Sequence, residues 1–133
     1  MRFLIVEDDI AARVVLTKYL ERIGECVVAE DGIEGFEAFV EAWEGGERFD
    51  VVFLDIMMPR MDGQETLRRI REFERSKGVD PFTSTKVLMT TALNDPQNVI
   101  QAFHEGGAQG YLVKPIRKER LYAELVSLGI PVD

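Results

Sequence analysis

Apolar residues recur along this chain in two alternating rhythms. Short, largely apolar runs read as strands: Phe3–Val6, Val27–Ala29, Val51–Leu54, Lys86–Thr90 and Gly110–Val113. Between them the spacing lengthens to helical period. Ala12, Leu16, Leu20 and Ile23 mark a first helix that Gly24 stops. Asp31 and Glu34 form an Asp-x-x-Glu capping signal, and Phe36, Phe39, Val40 and Trp43 give the stripe of a second helix, closed by Gly45-Gly46. Trp43 on that stripe is expected in the core. Leu67, Ile70 and Phe73 mark a third helix, and residues 76–86 are expected to be a long loop. Asp95-Pro96 opens a fourth, with Val99, Ile100 and Phe103 on its apolar side and Gly106-Gly107 at its end. Leu121, Leu125 and Leu128 support a fifth. Strand–helix alternation without repeats predicts a single-domain (βα)5 α/β fold over residues 1–133, a doubly wound parallel sheet with right-handed crossovers.

Composition narrows the function classes. With 16 Lys plus Arg against 24 Asp plus Glu, the net charge of −8 argues against nucleic-acid phosphates as the main partner. The basic stretches Arg68–Arg71 and Arg117–Arg120 read as solvated helix faces. A lone Cys26 excludes an internal disulfide, and its apolar surroundings predict a buried, inert thiol. No apolar run approaches the length of a membrane span, and acid appears by Glu7, before a signal peptide could form. A cytoplasmic location with no membrane partner and no output domain after Ser127–Asp133 are expected.

The candidate chemistry lies where strands end. Phe3–Val6 runs into Glu7-Asp8-Asp9, and Val51–Leu54 runs into Asp55. Carboxyl ends of parallel strands face a common crevice, the usual ligand position in open α/β sheets. Carboxylates converging there repel one another unless a cation joins them. That predicts a divalent metal site with one carboxylate available for chemistry. Asp9 reads as a cap for the first helix, and Asp62-Gly63 as turn and cap chemistry.

Four motifs in order carry a resemblance: Val6-Glu7-Asp8-Asp9; Phe53-Leu54-Asp55-Ile56-Met57-Met58-Pro59-Arg60-Met61-Asp62-Gly63; Met89-Thr90-Thr91-Ala92; and Gly110-Tyr111-Leu112-Val113-Lys114-Pro115. Together they resemble the response-regulator receiver domain of two-component signalling over essentially the whole chain. The resemblance implies a flavodoxin-like strand order 2-1-3-4-5 and a stand-alone, chemotaxis-type switch. It implies Asp55 as phosphoacceptor, and Mg²⁺ (with Mn²⁺ as a substitute) held by Glu7, Asp8, Asp55 and the backbone carbonyl of Met57. Thr91 would be the switch hydroxyl, Tyr111 the switch aromatic and Lys114 the phosphoryl-contacting lysine. Ala92 and Pro115 would support them, with Lys114-Pro115 usually a cis pair. Thr90 and Thr91 differ by one position, and the following Ala92 favours Thr91. The phosphoryl donor would be a phosphohistidine on a sensor histidine kinase or histidine phosphotransfer protein. His104, late in the fourth helix, reads instead as a surface or capping side chain.

Output is expected through the face built by the fourth helix, fifth strand and fifth helix, near Asp95, Gln97, Gln101, Tyr111 and Lys118. Its downstream protein is unknown, and the resemblance allows a phosphorylation-dependent homodimer through the same face. Glu7 stands where aspartate is more frequent, and its longer side chain is expected to reach the metal through water. Met57 and Leu93 are apolar where receivers border the path of hydrolytic water, which predicts a long-lived phosphorylated state. Two other classes use similar parts. A metal-dependent phosphohydrolase or nuclease commonly needs Asp-x-Asp, whereas Asp55 is followed two residues later by Met57. A phosphorylation-independent adaptor on a receiver scaffold usually lacks the acids or lysine present here.

Overall fold

Each apolar run predicted as a strand is one in a computed structural model of the chain, which describes residues 1–92, 96–102 and 107–133. The elements run β1 (Arg2–Val6), α1 (Ile10–Leu20), β2 (Glu25–Ala29), α2 (Gly32–Glu44), β3 (Val51–Asp55), α3 (Gly63–Ser76), β4 (Lys86–Thr91), α4 (Pro96–Gln101), β5 (Gly110–Val113) and α5 (Lys118–Ser127). The sheet order is β2-β1-β3-β4-β5, with every pair parallel. This is the expected flavodoxin-like α/β fold. Leu93, Asp95, Phe103, His104 and Gly106 lie outside the described residues, as does the side chain of Val99.

Strand alternation divides the core into two layers. Leu4, Val6, Val52, Leu54, Val87 and Met89 pack on one side, against Phe39 of α2 and Leu67 and Ile70 of α3. Phe3, Ile5, Val51, Phe53, Leu88 and Leu112 pack on the other, against Leu16 and Leu20 of α1 and Leu121 and Leu125 of α5. Burial on both faces explains the apolar middles of β1, β3 and β4, while the edge strand β2 is half-buried. Three predicted carboxylate caps start helices: Asp9 accepts from the Ala11 N–H at 3.3 Å, Asp31 from Glu34 at 2.9 Å and Asp62 from Glu65 at 2.9 Å.

Four local readings change. The first helix ends at Leu20, ahead of Gly24. Gly24 serves a close approach instead, since a Cβ there would overlap the Met1 carbonyl. The long loop contains a short 3₁₀ turn, Pro81–Thr83, capped by Asp80. Trp43 is half-buried: its edge meets Phe73 at 5.6 Å between ring centroids, and the Arg48 guanidinium lies 4.2 Å from its ring centroid. Cys26 is also only half-buried, but burial, with Glu21 and Glu25 nearby, pushes its thiol pKa up and keeps it unreactive.

A polar clasp closes the amino end of the sheet. Arg71 of α3 donates to Glu74 Oε1 (2.7 Å), to the carbonyls of Thr85 (2.8 Å) and Gly107 (2.9 Å), and to Gln109 Oε1 (3.1 Å). Glu74 Oε2 accepts from the Thr85 N–H at 2.8 Å, and Gln109 Oε1 from the Val87 N–H at 2.7 Å.

Candidate functional site

The opposite end of the sheet gathers the acids. Continuing the alternation one step past β1 and β5 puts Glu7 and Lys114 on the α1/α5 side, where Asp55 ends β3. Glu7 and Asp55 are buried and Asp8 is exposed, and carboxylate oxygens of the three lie within 4.8 Å of one another. Lys114 Nζ sits 2.7 Å from Glu7 Oε1 and 3.1 Å from Asp55 Oδ2. The Met57 N–H donates to Asp55 Oδ1 at 3.2 Å, and the Asp9 N–H to Glu7 Oε2 at 3.3 Å. Arg13 of α1 donates to the Glu7 carbonyl at 2.9 Å and pins the turn that presents the acids.

Electrostatics follows from this crowding. Burial, with the neighbouring Asp55 carboxylate adding to it, pushes the Glu7 pKa up to about 8 against the opposing pull of Lys114. Burial works to lower the Lys114 pKa, but its hydrogen bonds and charge attraction to Glu7 and Asp55 prevail, and the net direction is up. Glu7 and Asp55 thus share one ammonium. Hard oxygen donors in this arrangement fit Mg²⁺ or Mn²⁺, and a cation would offset the burial and the Asp55 charge that raise the Glu7 pKa.

The β3–α3 loop is held from two sides. The Gly63 N–H donates to the Ile56 carbonyl at 2.9 Å, and a Cβ at Gly63 would overlap the carbonyl oxygen of Asp55 itself. Arg60 takes a left-handed backbone conformation (φ 65°), which costs a residue with a Cβ, and its guanidinium bonds Asp31, the cap of α2. That guanidinium, then the Glu34 N–H, draws the Asp31 pKa down. The pairing of residues 31 and 60 was not visible in the sequence.

Other predicted residues take different places. Thr91 is buried on the α2/α3 side of the sheet, beyond Val87 and Met89, and its hydroxyl donates to the Ala92 carbonyl at 3.2 Å. Thr90 lies on the Asp55 side, beyond Leu88. Tyr111 is 37% exposed on β5 and Met57 is 66% exposed. The Lys114-Pro115 peptide is cis. Ala92, Lys114 and Pro115 line a cavity of ≈ 530 Å³ with Asp9, Ala12 and Val15. Ile10 and Val14 of α1 are solvent-exposed close by. Among the described residues no helix is long and apolar enough to cross a membrane.

Comparison with known proteins matches this arrangement. Residues 3–126 fit the family model described as the response regulator receiver domain. The transcriptional regulatory protein ResD of Bacillus subtilis is 32% identical over 96% of this chain, which covers 47% of ResD. The chain spans about half the length, or less, of the curated relatives it matches. Among solved structures, Vibrio cholerae chemotaxis protein CheY4 superposes with a TM-score of 0.77 at 31% identity, covering 95% of this chain and 96% of that one. A CheX-CheY-BeF₃-Mg²⁺ complex from Borrelia burgdorferi matches with a TM-score of 0.81 at 28% identity, covering 98% and 90%.

Proposed function

The chain belongs to the response regulator receiver domain family, and on that footing we propose that it is a Mg²⁺-dependent phosphoacceptor switch. Asp55 takes a phosphoryl group from a phosphohistidine on a sensor histidine kinase or phosphotransfer protein. The observation that carries this reading is the setting of the Asp55 carboxylate, between the acids Glu7 and Asp8 and the Lys114 ammonium 3.1 Å from its Oδ2.

The Met57 N–H and Lys114 hold the two Asp55 oxygens in place, so the nucleophile meets phosphorus without a rotamer search. An Asp55 oxygen bonds phosphorus as the phosphorus–nitrogen bond of the donor breaks. The departing electron pair stays on the imidazole nitrogen, which takes up a proton. The obstacle is charge, since an anionic phosphoryl group approaches three carboxylates. Glu7, Asp8, Asp55 and the Met57 carbonyl would hold Mg²⁺, which would supply positive charge against the incoming phosphoryl group. Lys114 neutralises a second oxygen, and the Thr91 hydroxyl leaves the Ala92 carbonyl for a third. Tyr111 then follows Thr91 inward and alters the α4–β5–α5 face that a downstream partner reads. The exposed Ile10 and Val14, beside the cavity over Lys114, offer the donor protein an apolar landing next to Asp55.

Intact mass after incubation with Mg²⁺ and acetyl phosphate tests the assignment. Wild type gains one phosphoryl group and Asp55→Asn gains none. A gain by both moves the acceptor elsewhere, and no gain by either, with donor kinase supplied as well, removes the reading.

A further inference from the structure

Thr90 carries a hydroxyl for which the resting fold has no use. It is 1% exposed in β4 after the apolar residues Val87, Leu88 and Met89, and its Oγ1 has no hydrogen-bond partner. Strand register sets it directly beside Asp55 on one flank and beside Leu112, two residues before Lys114, on the other. Alternation turns its side chain to the α1/α5 side, as it does those of Asp55 and Lys114. A buried hydroxyl without a partner is a standing cost, and valine has nearly the same shape without it.

The resting site explains why the hydroxyl stays unused. Asp55 Oδ1 already accepts from the Met57 N–H, and Oδ2 faces Lys114. Phosphorylation changes those terms. One Asp55 oxygen becomes the bridge to phosphorus, Lys114 turns to the phosphoryl group, and the remaining carbonyl oxygen loses a donor. Thr90 is the buried donor next in register. We propose that Thr90 is a positioning residue of the phosphorylated state: its hydroxyl donates to the Asp55 side-chain oxygen that Lys114 vacates, and fixes the acyl phosphate in one orientation. This rests on the reading of Asp55 as phosphoacceptor.

Beryllofluoride, a phosphoryl mimic that needs Mg²⁺ and no donor, gives the test. Wild type, Thr90→Val and Thr90→Ser are titrated by calorimetry, with fluorine NMR of the bound mimic, and the unfolding midpoint of each ligand-free protein is measured. Thr90→Val is expected to raise the resting midpoint, weaken beryllofluoride binding about threefold to tenfold and shift the bound fluorine resonances. Thr90→Ser is expected to bind like wild type, and Mg²⁺ alone to bind all three equally. Equal beryllofluoride affinity for Thr90→Val and wild type overturns this inference alone. A lowered midpoint for Thr90→Val also overturns it, since the hydroxyl would then already be satisfied at rest. Failure of wild type itself to bind the mimic overturns both this inference and the phosphoacceptor reading.

Discussion

Glu7 is the residue at which folding and ligand binding oppose each other. Its pKa of about 8 in the metal-free fold lies above the ordinary 4.5. Such a group favours the fold fully below pH 4.5 and loses that contribution as pH rises towards 8. A cation needs the ionised form, so binding must displace the proton. Mg²⁺ affinity, measured by calorimetry, is therefore expected to fall by up to about tenfold per pH unit below pH 8. The release of nearly one proton per ion should appear as a buffer-dependent heat. Flat affinity between pH 6 and 8 would refute the assignment of Glu7 to the metal. The pair Met57 and Leu93 sets a second expectation: Met57→Asn with Leu93→Glu supplies groups that orient water and should shorten the phosphorylated half-life. An unchanged half-life would discard the idea that apolar residues there protect the acyl phosphate. Most of these groups were legible in the sequence, because an acid after a buried strand is conspicuous. Thr90 was noticed only as a rival to Thr91. What marks it is a hydroxyl directly after the apolar run Val87-Leu88-Met89 of a central strand, a cue that needs the register with Asp55 before it means anything.

Among the elements, strands and caps were the readable part. Strands buried on both faces leave unbroken apolar runs, and Asp9, Asp31 and Asp62 announce the helices they cap. The Arg71 clasp was not readable, since all its partners but Glu74 lie 14 to 38 residues away and only folding brings them together. Arg71 and Glu74 side chains are 12% and 5% exposed, so removing one leaves the other charged and nearly dry. Arg71→Leu should cost about 3–5 kcal/mol in urea unfolding. A loss under about 1 kcal/mol would show that the network relaxes or rehydrates. The clasp ties α3, β4 and the segment before β5, so it steadies the strands whose far ends lead to Thr91 and Lys114. The β3–α3 loop shows the same division of labour. Gly63 supplies close contact with the backbone of Asp55, while Arg60 accepts a strained backbone and offsets it through Asp31.

Across the molecule, polarity is sorted by sheet end. The carboxyl ends gather Glu7, Asp8 and Asp55, pair the first and last with Lys114, and leave their repulsion for a ligand to relieve. The amino ends close on Arg71, whose two terminal nitrogens each donate twice, and on Trp43 beneath Arg48. Stability is concentrated at one end and responsiveness at the other. Which helix lies on which side was predictable from right-handed crossovers. The fine placement of Trp43 was not, because its stripe position says only that one edge faces inward. That placement has a practical use. Gly32 to Trp43 along α2 covers about 16 Å at 1.5 Å per residue, and the indole packs on Phe73 and Arg48, at the end of the sheet away from Glu7, Asp8 and Asp55. As the sole tryptophan, it makes intrinsic fluorescence a gauge of unfolding that is nearly blind to events at Asp55. Denaturation curves can thus be recorded with Mg²⁺ or beryllofluoride present, without the optical signal confusing occupancy with collapse.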